Sequence, residues 1–309
     1  MKYKIINNKL FCLTALLVYS SAIQAATPVY DLEQLQHYRF SYQISPYTQS
    51  SSDLDGGGSY SVSSLLVRMS VMKPVSTRTF MGLGISYDLS DYDFENLSAF
   101  GGQQPWDKVR SLNFNLPVIM RTDSEWTFMV SPSIGSFQEV DADWKDSLAY
   151  GATFIGSYSF GNSNRIGIGL GAFDRLDETI LFPFLSVKWQ LTENLRIGNA
   201  LNAGPTGPAG LQLEYSLSDK WETAVGFARR SLRFRLDDSN ISPGGVGTQK
   251  GRLLFVRLST KFTRTLSLDL YAGAVFDGNL LVEDNNNNPV ASADYGTAPL
   301  LSLNLNGRF

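Results

Sequence analysis

The last eleven residues of the chain, 299–309, alternate between apolar and polar side chains up to the final residue. Successive side chains of a β-strand point to opposite faces, so the alternation predicts a two-sided strand that contains the carboxyl terminus. Terminal residues usually fray, and an unpaired strand edge exposes hydrogen-bonding groups. The ending therefore predicts a closing strand that pairs with another part of the chain, with an ordinary amphipathic edge strand as the alternative. The apolar face of this strand consists of Leu301, Leu303, Leu305 and Phe309, with Gly307 between them.

Comparable alternating segments follow one another from Tyr38 to the end of the chain. We count fourteen, or twelve if the weak segments at residues 195–203 and 211–217 are dropped. Both numbers are even, as a closed antiparallel barrel usually requires. The phase of the eighth segment is open, between one face with Ile180, Phe182 and Phe184 and another with Leu185, Val187 and Trp189.

The connections between these segments alternate between short and long. Residues 192–194 and 263–265 are short connections, whereas residues 90–108 and 277–296 are long ones. A membrane barrel has short turns at one end and long loops at the other. Beyond residue 26, no run of about 18 apolar residues occurs, which excludes helical membrane spans. The apolar residues, part of a hydrophobic total of 43%, are instead dispersed over short segments.

Together these features resemble those of bacterial outer-membrane β-barrel proteins of the porin-like kind, including outer-membrane families of unknown function with about this length. The resemblance implies an all-β fold: a closed antiparallel transmembrane β-barrel with short periplasmic turns and long external loops. It also implies outer-membrane lipid and the barrel-assembly machinery as partners. In that family the last strand carries an assembly signal, which here would consist of Leu301, Leu303, Leu305, Gly307 and Phe309.

The amino-terminal residues predict export. Three lysines precede an apolar run that ends in small residues, which is the pattern of a secretory signal peptide over residues 1–25. A short periplasmic segment, residues 26–37, would follow, and a single barrel domain would occupy residues 38–309. Cys12, the only cysteine, lies in the signal peptide, so the exported chain is expected to fold without disulfides.

Aromatic residues lie beside the short connections and predict a girdle at the periplasmic surface of the membrane. Aromatic rings favour this interface because one edge of the ring is hydrated while the rest is apolar. The girdle is expected to contain Trp126, Trp189, Trp221 and Phe309.

The polar faces of the segments carry more basic than acidic residues, and the interior would be net positive if these faces line a lumen. Glycines such as Gly169 and Gly171 would leave room there for water. Positive rings favour anions, so we expect a passive diffusion channel for small hydrophilic solutes with mild anion preference. The alternative is a structural or surface-interaction barrel with a closed lumen, in which charges pair and loops fold inward. The basic wall would consist of Arg39, Arg68, Arg165, Lys188, Arg196, Arg230, Arg257, Lys261 and Arg308.

Three arginines near the external end of the eleventh segment, Arg229, Arg233 and Arg235, share one phase. Arginine binds phosphate bidentately, so these side chains could contact lipopolysaccharide. A slip in phase would turn them inward instead.

Enzymatic chemistry has little support. Enzymes among outer-membrane barrels mostly use a histidine as general base, and the single histidine, His37, precedes the first strand. A Ser-His or Asp-His arrangement at the outer leaflet therefore cannot be built, and a lipid hydrolase is a distant third interpretation. No pattern indicates a cofactor, a metal site or a nucleic-acid partner, and the sequence does not specify an oligomeric state.

Overall fold

The computed structural model describes residues 40–161, 164–176, 178–199 and 209–309. The signal peptide, the segment 26–37 and Arg39 of the basic wall lie outside the described residues. Within the described part of the chain, no helix is long and apolar enough to cross a membrane. The strands, in chain order, are β1 (Phe40–Asp53), β2 (Ser59–Pro74), β3 (Thr79–Glu95), β4 (Lys108–Asn115), β5 (Val118–Arg121), β6 (Trp126–Glu139), β7 (Leu148–Phe160), β8 (Asn164–Arg175), β9 (Glu178–Gln190), β10 (Leu195–Asn199), β11 (Ala209–Ser216), β12 (Trp221–Arg235), β13 (Val246–Lys261), β14 (Leu266–Glu283), β15 (Pro289–Tyr295) and β16 (Ala298–Arg308).

These strands form one closed antiparallel barrel. Neighbours in the chain pair with each other, and β1 pairs with β16 over a register that runs from Ser41 opposite Arg308 to Gln49 opposite Leu300. β4 and β5 share one position between β3 and β6, because Pro117 interrupts the ladder between them. β15 pairs with β14 as an external hairpin. The wall therefore has fourteen strands, as the sequence predicts, and both weak segments belong to it as β10 and β11.

The barrel carries apolar side chains outside, and the inward face is polar along strands such as β1 and β16 but apolar where buried clusters such as Met72, Phe80, Ile119, Met129 and Ile155 lie. In β1, Ile44 is 39% exposed whereas the next residue, Ser45, is fully buried. In β16, Leu301 is 55% exposed and Asn304 is fully buried. This arrangement inverts that of a soluble sheet, and it suits a wall that faces hydrocarbon. The alternation of the closing strand thus has the phase expected from the sequence.

The open phase of the eighth segment is decided by glycines on the neighbouring strand. β9 turns Phe182 and Phe184 inward and Trp189 outward. The rings of Phe182 and Phe184 lie directly over Gly171 and Gly169 of β8, where a side chain would collide with them. The sequence-based expectation that these glycines leave room for water is therefore wrong, because rings from the adjacent strand occupy the space.

The strands differ greatly in length, and this gives the barrel an uneven external rim. β14 has 18 residues and β3 has 17, whereas β10 has 5. The long strands rise past the exposed apolar belt, and there β12 leans inward across the barrel. Its last residue, Arg235, pairs in parallel with Gln138 of β6, which lies almost opposite in the ring of strands.

We expect Gly307→Ala to destabilise the barrel by about 1–3 kcal/mol, because overpacking strains a well-packed contact. The Tyr42 ring covers Gly307 and stacks on Phe309 at a centroid distance of 6.0 Å, so a new methyl group would displace this ring at the seam between β1 and β16. The measurement is the midpoint of urea unfolding after refolding into lipid vesicles. Gly156→Ala is the matched control, because the new methyl carbon would lie 3.4 and 3.5 Å from the nearest atoms of the Phe128 ring, which is ordinary van der Waals contact. Equal midpoints for the two variants would contradict a packed seam.

Candidate functional site

At mid-height, Arg230 of β12 reaches across the lumen towards β1 and β3. Its Nη2 donates a hydrogen bond to the Tyr47 hydroxyl at 2.6 Å, and its guanidinium lies 4.6 Å from the centroid of the Tyr47 ring. Asp88 of β3 interacts electrostatically with both Arg230 and Arg68, and it accepts a hydrogen bond from the Ser64 hydroxyl at 2.7 Å. These contacts join opposite sides of the wall and obstruct the lumen at this level.

Nearer the periplasmic end, alternating charges run along β10 to β13. Arg196 forms ion pairs with Glu214 and, at 3.3 Å, with Glu222, and Glu222 also binds Arg257. The Arg196 side chain is 34% exposed, so water reaches this part of the lumen. Removing one partner of a buried ion pair leaves the other charge uncompensated, so each charge in this group depends on its neighbours.

The remaining described members of the basic wall lie close to the periplasmic mouth. The register places Arg165 of β8 directly opposite Lys188 of β9, and Arg308 opposite Ser41. Lys261 is exposed at the end of β13. Side chains directly opposite each other on neighbouring strands are close, and like charges in such pairs repel.

Above mid-height, the lumen is filled by an apolar cluster, which we call the external cap. Phe234 of β12 packs edge-on against Trp106 from the loop after β3, with ring centroids 5.1 Å apart, and Trp106 packs against Tyr92 at 5.8 Å. All three side chains are almost completely buried. The main members of the external cap are Tyr60, Tyr92, Phe100, Trp106, Phe137, Phe234, Leu236, Leu280, Val282 and Tyr295.

Hydrogen bonds between lumen-facing side chains support the external cap from below. The Tyr92 hydroxyl on β3 donates to Gln249 Oε1 on β13 at 2.7 Å, and Gln49 Nε2 on β1 donates to the Tyr60 hydroxyl at 2.8 Å. A cavity of about 10 Å³ adjoins Gln49, Gln249 and Arg230. This volume holds about one water molecule, so the cavity is no passage for a solute.

Glu139, at the end of β6, fastens two external loops to the external cap. Its carboxylate accepts hydrogen bonds from the backbone N–H of Asp107 at 3.0 Å and of Asp237 at 2.7 Å, and from Asn240 Nδ2 at 3.0 Å. The loops after β3 and β12 are thereby held to the same residue. Hydrogen bonds from the side chain and backbone of Ser239 hold the pKa of Asp237 below its ordinary value.

The asparagine-rich residues 284–288 form a turn. Asn288 donates to the Asp284 carboxylate through its backbone N–H at 2.8 Å, and the hydrogen bonds of the Asn288 side chain and backbone lower the pKa of Asp284. Among the residues that the structure describes, no three His, Cys, Asp or Glu side chains are grouped in a way that could hold a metal ion.

Two of the three arginines expected to meet lipopolysaccharide are buried in protein contacts. Arg233 is 7% exposed and forms ion pairs with Glu283 and, at 3.7 Å, with Glu178. Arg235 is 8% exposed, and its Nε donates to the carbonyl oxygen of Asp146 at 2.8 Å. The expectation does not hold for these two residues, because β12 bends inward above the belt and its outer face meets external loops instead of lipid.

The aromatic residues expected at the periplasmic surface lie on the outside of the barrel. Trp126, Trp189, Trp221 and Phe309 are all exposed, and each lies next to a short turn or the carboxyl terminus. Phe309 stacks on Tyr42, so the last residue contributes both to this ring and to the seam between β1 and β16.

Sequence reasoning missed the external cap, although the sequence contains one signal of it. Leu232, Phe234 and Leu236 form an apolar alternation beyond the lipid-facing stretch of β12, in the opposite phase to Val225 and Phe227, where an external loop would be polar. The loop that contains Trp106 shows no comparable apolar alternation that would indicate burial of Trp106. The role of Glu139 could not be read from the sequence at all, because its partners include backbone groups of two loops distant in the chain.

The family model described as "Domain of unknown function (DUF6268)" matches residues 65–305. No curated protein matches the sequence. Among solved structures, similar chains include an outer membrane channel from Pseudomonas putida F1, with 10% identity, a TM-score of 0.47, and coverage of 88% of this chain and 96% of that one. The translocator domain of the autotransporter NalP from Neisseria meningitidis has 11% identity and a TM-score of 0.39, with 98% and 95% covered. The toluene transporter TodX from Pseudomonas putida has 9% identity and a TM-score of 0.42, with 91% and 94% covered.

We expect Glu139→Gln to loosen the external cap. The carboxylate now accepts hydrogen bonds from three N–H groups, and the amide would place its own N–H group opposite one of them. That buried donor would be left unsatisfied, which costs about 1–3 kcal/mol. Hydrogen–deuterium exchange of the backbone amides in residues 236–246 should accelerate by about tenfold or more. Glu193→Gln in an exposed periplasmic turn is the control. Unchanged exchange in the Glu139 variant would show that the loops are held by other contacts.

Proposed function

This chain belongs to the DUF6268 family, and we propose that it is an integral protein of the bacterial outer membrane whose barrel is a diffusion channel for small hydrophilic solutes, closed on its external side in the present conformation. The membrane location is supported by the exposed apolar belt, by the closed ring of strands and by the signal peptide predicted over residues 1–25. Barrel-assembly machinery and outer-membrane lipid are the partners that this location requires.

The observation that carries the proposal is the hydrated, charged periplasmic half of the lumen. Arg196 is partly exposed inside the wall, and Arg165, Lys188 and Arg308 are also only partly buried. Ionised side chains are costly to bury without water or partners, so the β10–β13 side of this half forms a charged vestibule, whereas the side from β2 to β7 is packed with Met72, Phe80, Ile119, Met129 and Ile155. A barrel with a purely structural role would have no need of such a vestibule.

Mild anion preference follows from the balance of charges in the vestibule and at mid-height. Eight of the nine basic-wall residues are described, and four acidic residues, Asp88, Glu214, Glu222 and Asp269, lie on the same faces. Glu214 and Glu222 form ion pairs with Arg196 and Arg257. Basic residues outnumber acidic residues on these faces by eight to four, and this excess of positive charge would favour anions over cations.

Passage of a solute would require the external cap to move. Trp106 and Phe234 fill the external half of the lumen, and Arg230 obstructs it at mid-height. The cap is built from external loops and from the part of β12 above the apolar belt, so it could shift while the wall within the membrane stays closed. We therefore place the barrier in the external cap and in the Arg230 contacts below it.

A closed-lumen barrel with a structural or surface-interaction role is the second candidate. The completely buried aromatic side chains of the external cap favour it, because a packed core resists opening. We propose no enzymatic role, since the single histidine, His37, precedes the barrel in sequence.

Weakening the external cap distinguishes the two candidates. We expect wild-type protein in planar lipid bilayers to open rarely, and Trp106→Ala combined with Phe234→Ala to open at least tenfold more often, because loss of a buried aromatic side chain costs about 3–5 kcal/mol. Trp144→Ala, which changes an exposed tryptophan in another external loop, is the matched control. Heat-modifiable mobility on gels verifies that each variant is folded. Absence of conductance in the folded double variant would refute the channel and support the closed barrel.

The charge of the vestibule should set the ion preference of the opened channel. In the background of the double cap variant, Arg165→Glu combined with Lys188→Glu should move the reversal potential under a salt gradient from anion towards cation preference. Lys73→Glu combined with Lys220→Glu is the control, because it makes the same change of charge at exposed positions near the periplasmic end, outside the lumen. A cation-selective parent channel, or equal shifts from both pairs, would contradict the proposed anion preference.

A further inference from the structure

Above the apolar belt, β12, β13, β14 and β15 form a sheet that leaves the ring of the barrel. Among the described residues, the pairing of β12 with β11 ends at Arg229. β14 changes its second neighbour at a similar height, from β16 opposite Val275 to β15 opposite Gly278. We call this four-stranded sheet the external flap, and it consists of residues 230–235, 246–250, 279–283 and 289–295.

The external flap has an apolar inner face and a polar outer face. The strand registers align Phe234 with Gly247 and Val282 on the inner face, and both apolar side chains are completely buried in the external cap. The next residues along β12 and β14, Arg235 and Glu283, belong to the outer face. The flap therefore carries a large part of the external cap on one surface.

A bulge and two glycines lie on the line where the external flap joins the wall. β13 contributes one residue, Gly251, at the point where β14 contributes two, Asp277 and Gly278. Asp277 has a φ of 50°, in the left-handed region. The Tyr295 ring approaches both glycines so closely that a side chain at either position would collide with it. A bulge interrupts the ladder and bends its strand, so the sheet bends most easily along this line.

The β12 edge of the external flap is fastened to the rim of the barrel by contacts outside the transmembrane ladder. The backbone of Arg235 pairs with Gln138 of β6, and its Nε donates to the carbonyl oxygen of Asp146 at 2.8 Å. Arg233 forms an ion pair with Glu178 at the start of β9, at 3.7 Å. Release of these contacts would free this edge without breaking the pairing of the strands within the membrane.

We propose that the external flap is the moving part of the channel and that it tilts outward as one sheet about the line of Gly251 and Gly278 when its β12 edge leaves β6 and β9. This inference rests on the proposed channel function and adds the element that opens it. The register of β12 with β13 has no shift from Trp221 to Arg235, so the two strands stay paired through the bend. The tilt carries Phe234 away from Trp106.

The structure also explains why the flap stays closed most of the time. Opening exposes buried apolar side chains such as Phe234, Leu280 and Val282 to water, which is unfavourable in proportion to the area exposed. The contacts of Arg233 and Arg235 with the rim add to this barrier.

A disulfide across the mouth of the barrel tests the motion. Gln138→Cys combined with Arg235→Cys, in the background of the double cap variant, joins residues that pair across the two strands. The only cysteine of the chain, Cys12, lies in the predicted signal peptide. Oxidation should lower the frequency of channel opening by about tenfold or more, and reduction should restore it, because the covalent bond holds the edge against β6.

The matched control is a disulfide within the flap. Leu281→Cys combined with Ser292→Cys joins β14 to β15, which move together, so oxidation should leave the opening frequency unchanged. Mass spectrometry measures the extent of each crosslink. Equal opening of the oxidised and reduced Gln138/Arg235 variant would overturn the moving flap, and so would equal closure by the control disulfide.

A second arm does not depend on conductance. Ala293→Cys places a thiol on the buried inner face of the flap. Arg233→Gln combined with Arg235→Gln should accelerate its reaction with a maleimide by about tenfold or more, because loss of charged contacts of this strength changes a population to that extent. Hydrogen–deuterium exchange of residues 279–283 should stay slow, because a sheet that moves as one unit keeps its hydrogen bonds.

Arg78→Gln combined with Arg264→Gln in the exposed periplasmic turns is the control for this arm and should leave labelling unchanged. Unchanged labelling in the Arg233/Arg235 variant, or rapid exchange of residues 279–283, would overturn the moving flap. The two arms also separate this inference from the channel itself. A double cap variant that conducts nothing, while Ala293→Cys becomes accessible, refutes the channel and supports the flap; conductance that ignores the crosslink refutes only the flap.

Discussion

Closure of the backbone ladder between β1 and β16 is the constraint on which the rest of the molecule depends. In hydrocarbon, an unpaired N–H or C=O group costs several kcal/mol, so a sheet can cross a bilayer only if its first and last strands meet. Here the last strand pairs with β1 from Ser41 to Gln49, and Phe309 and Tyr42 pack over Gly307 at the seam. Once the ring is closed, each strand has one face towards lipid and one towards the lumen, and every site described above follows from that division.

The inward-facing side chains differ between the periplasmic and external halves of the lumen. In the periplasmic half, Arg196, Glu214 and Glu222 form charged pairs that water can reach. In the external half, the strands rise beyond the membrane and β12 leans over the opening, so that Phe234 meets Trp106 in a dry cluster. The same barrel therefore combines a charged vestibule along β10–β13 with a packed external cap, and a second apolar cluster packs near the periplasmic end.

The bend in β12 also separates residues that look equivalent in sequence. Arg229, Arg233 and Arg235 share one phase, yet only the first faces the membrane, while Arg233 and Arg235 bind Glu283 and the Asp146 carbonyl. The residue directly opposite Arg229 in the strand register is instead Arg252 of β13, which forms an ion pair with Asp277. Spacing along one strand predicts which residues share a face, but it does not predict whether that face contacts lipid or protein once the strand bends.

The sequence by itself determined the class of fold, the even number of strands, the phase of most strands and the direction of the short and long connections, because a period of two residues and the distribution of turns are local properties. The tertiary structure alone decided how the interior is filled. Whether Gly169 and Gly171 leave space depends on rings of the next strand, and whether the lumen is open depends on contacts such as Phe234 with Trp106 and Glu139 with Asp107 and Asp237. These contacts join segments that are far apart in the chain, and no local pattern of residues records which distant groups will meet.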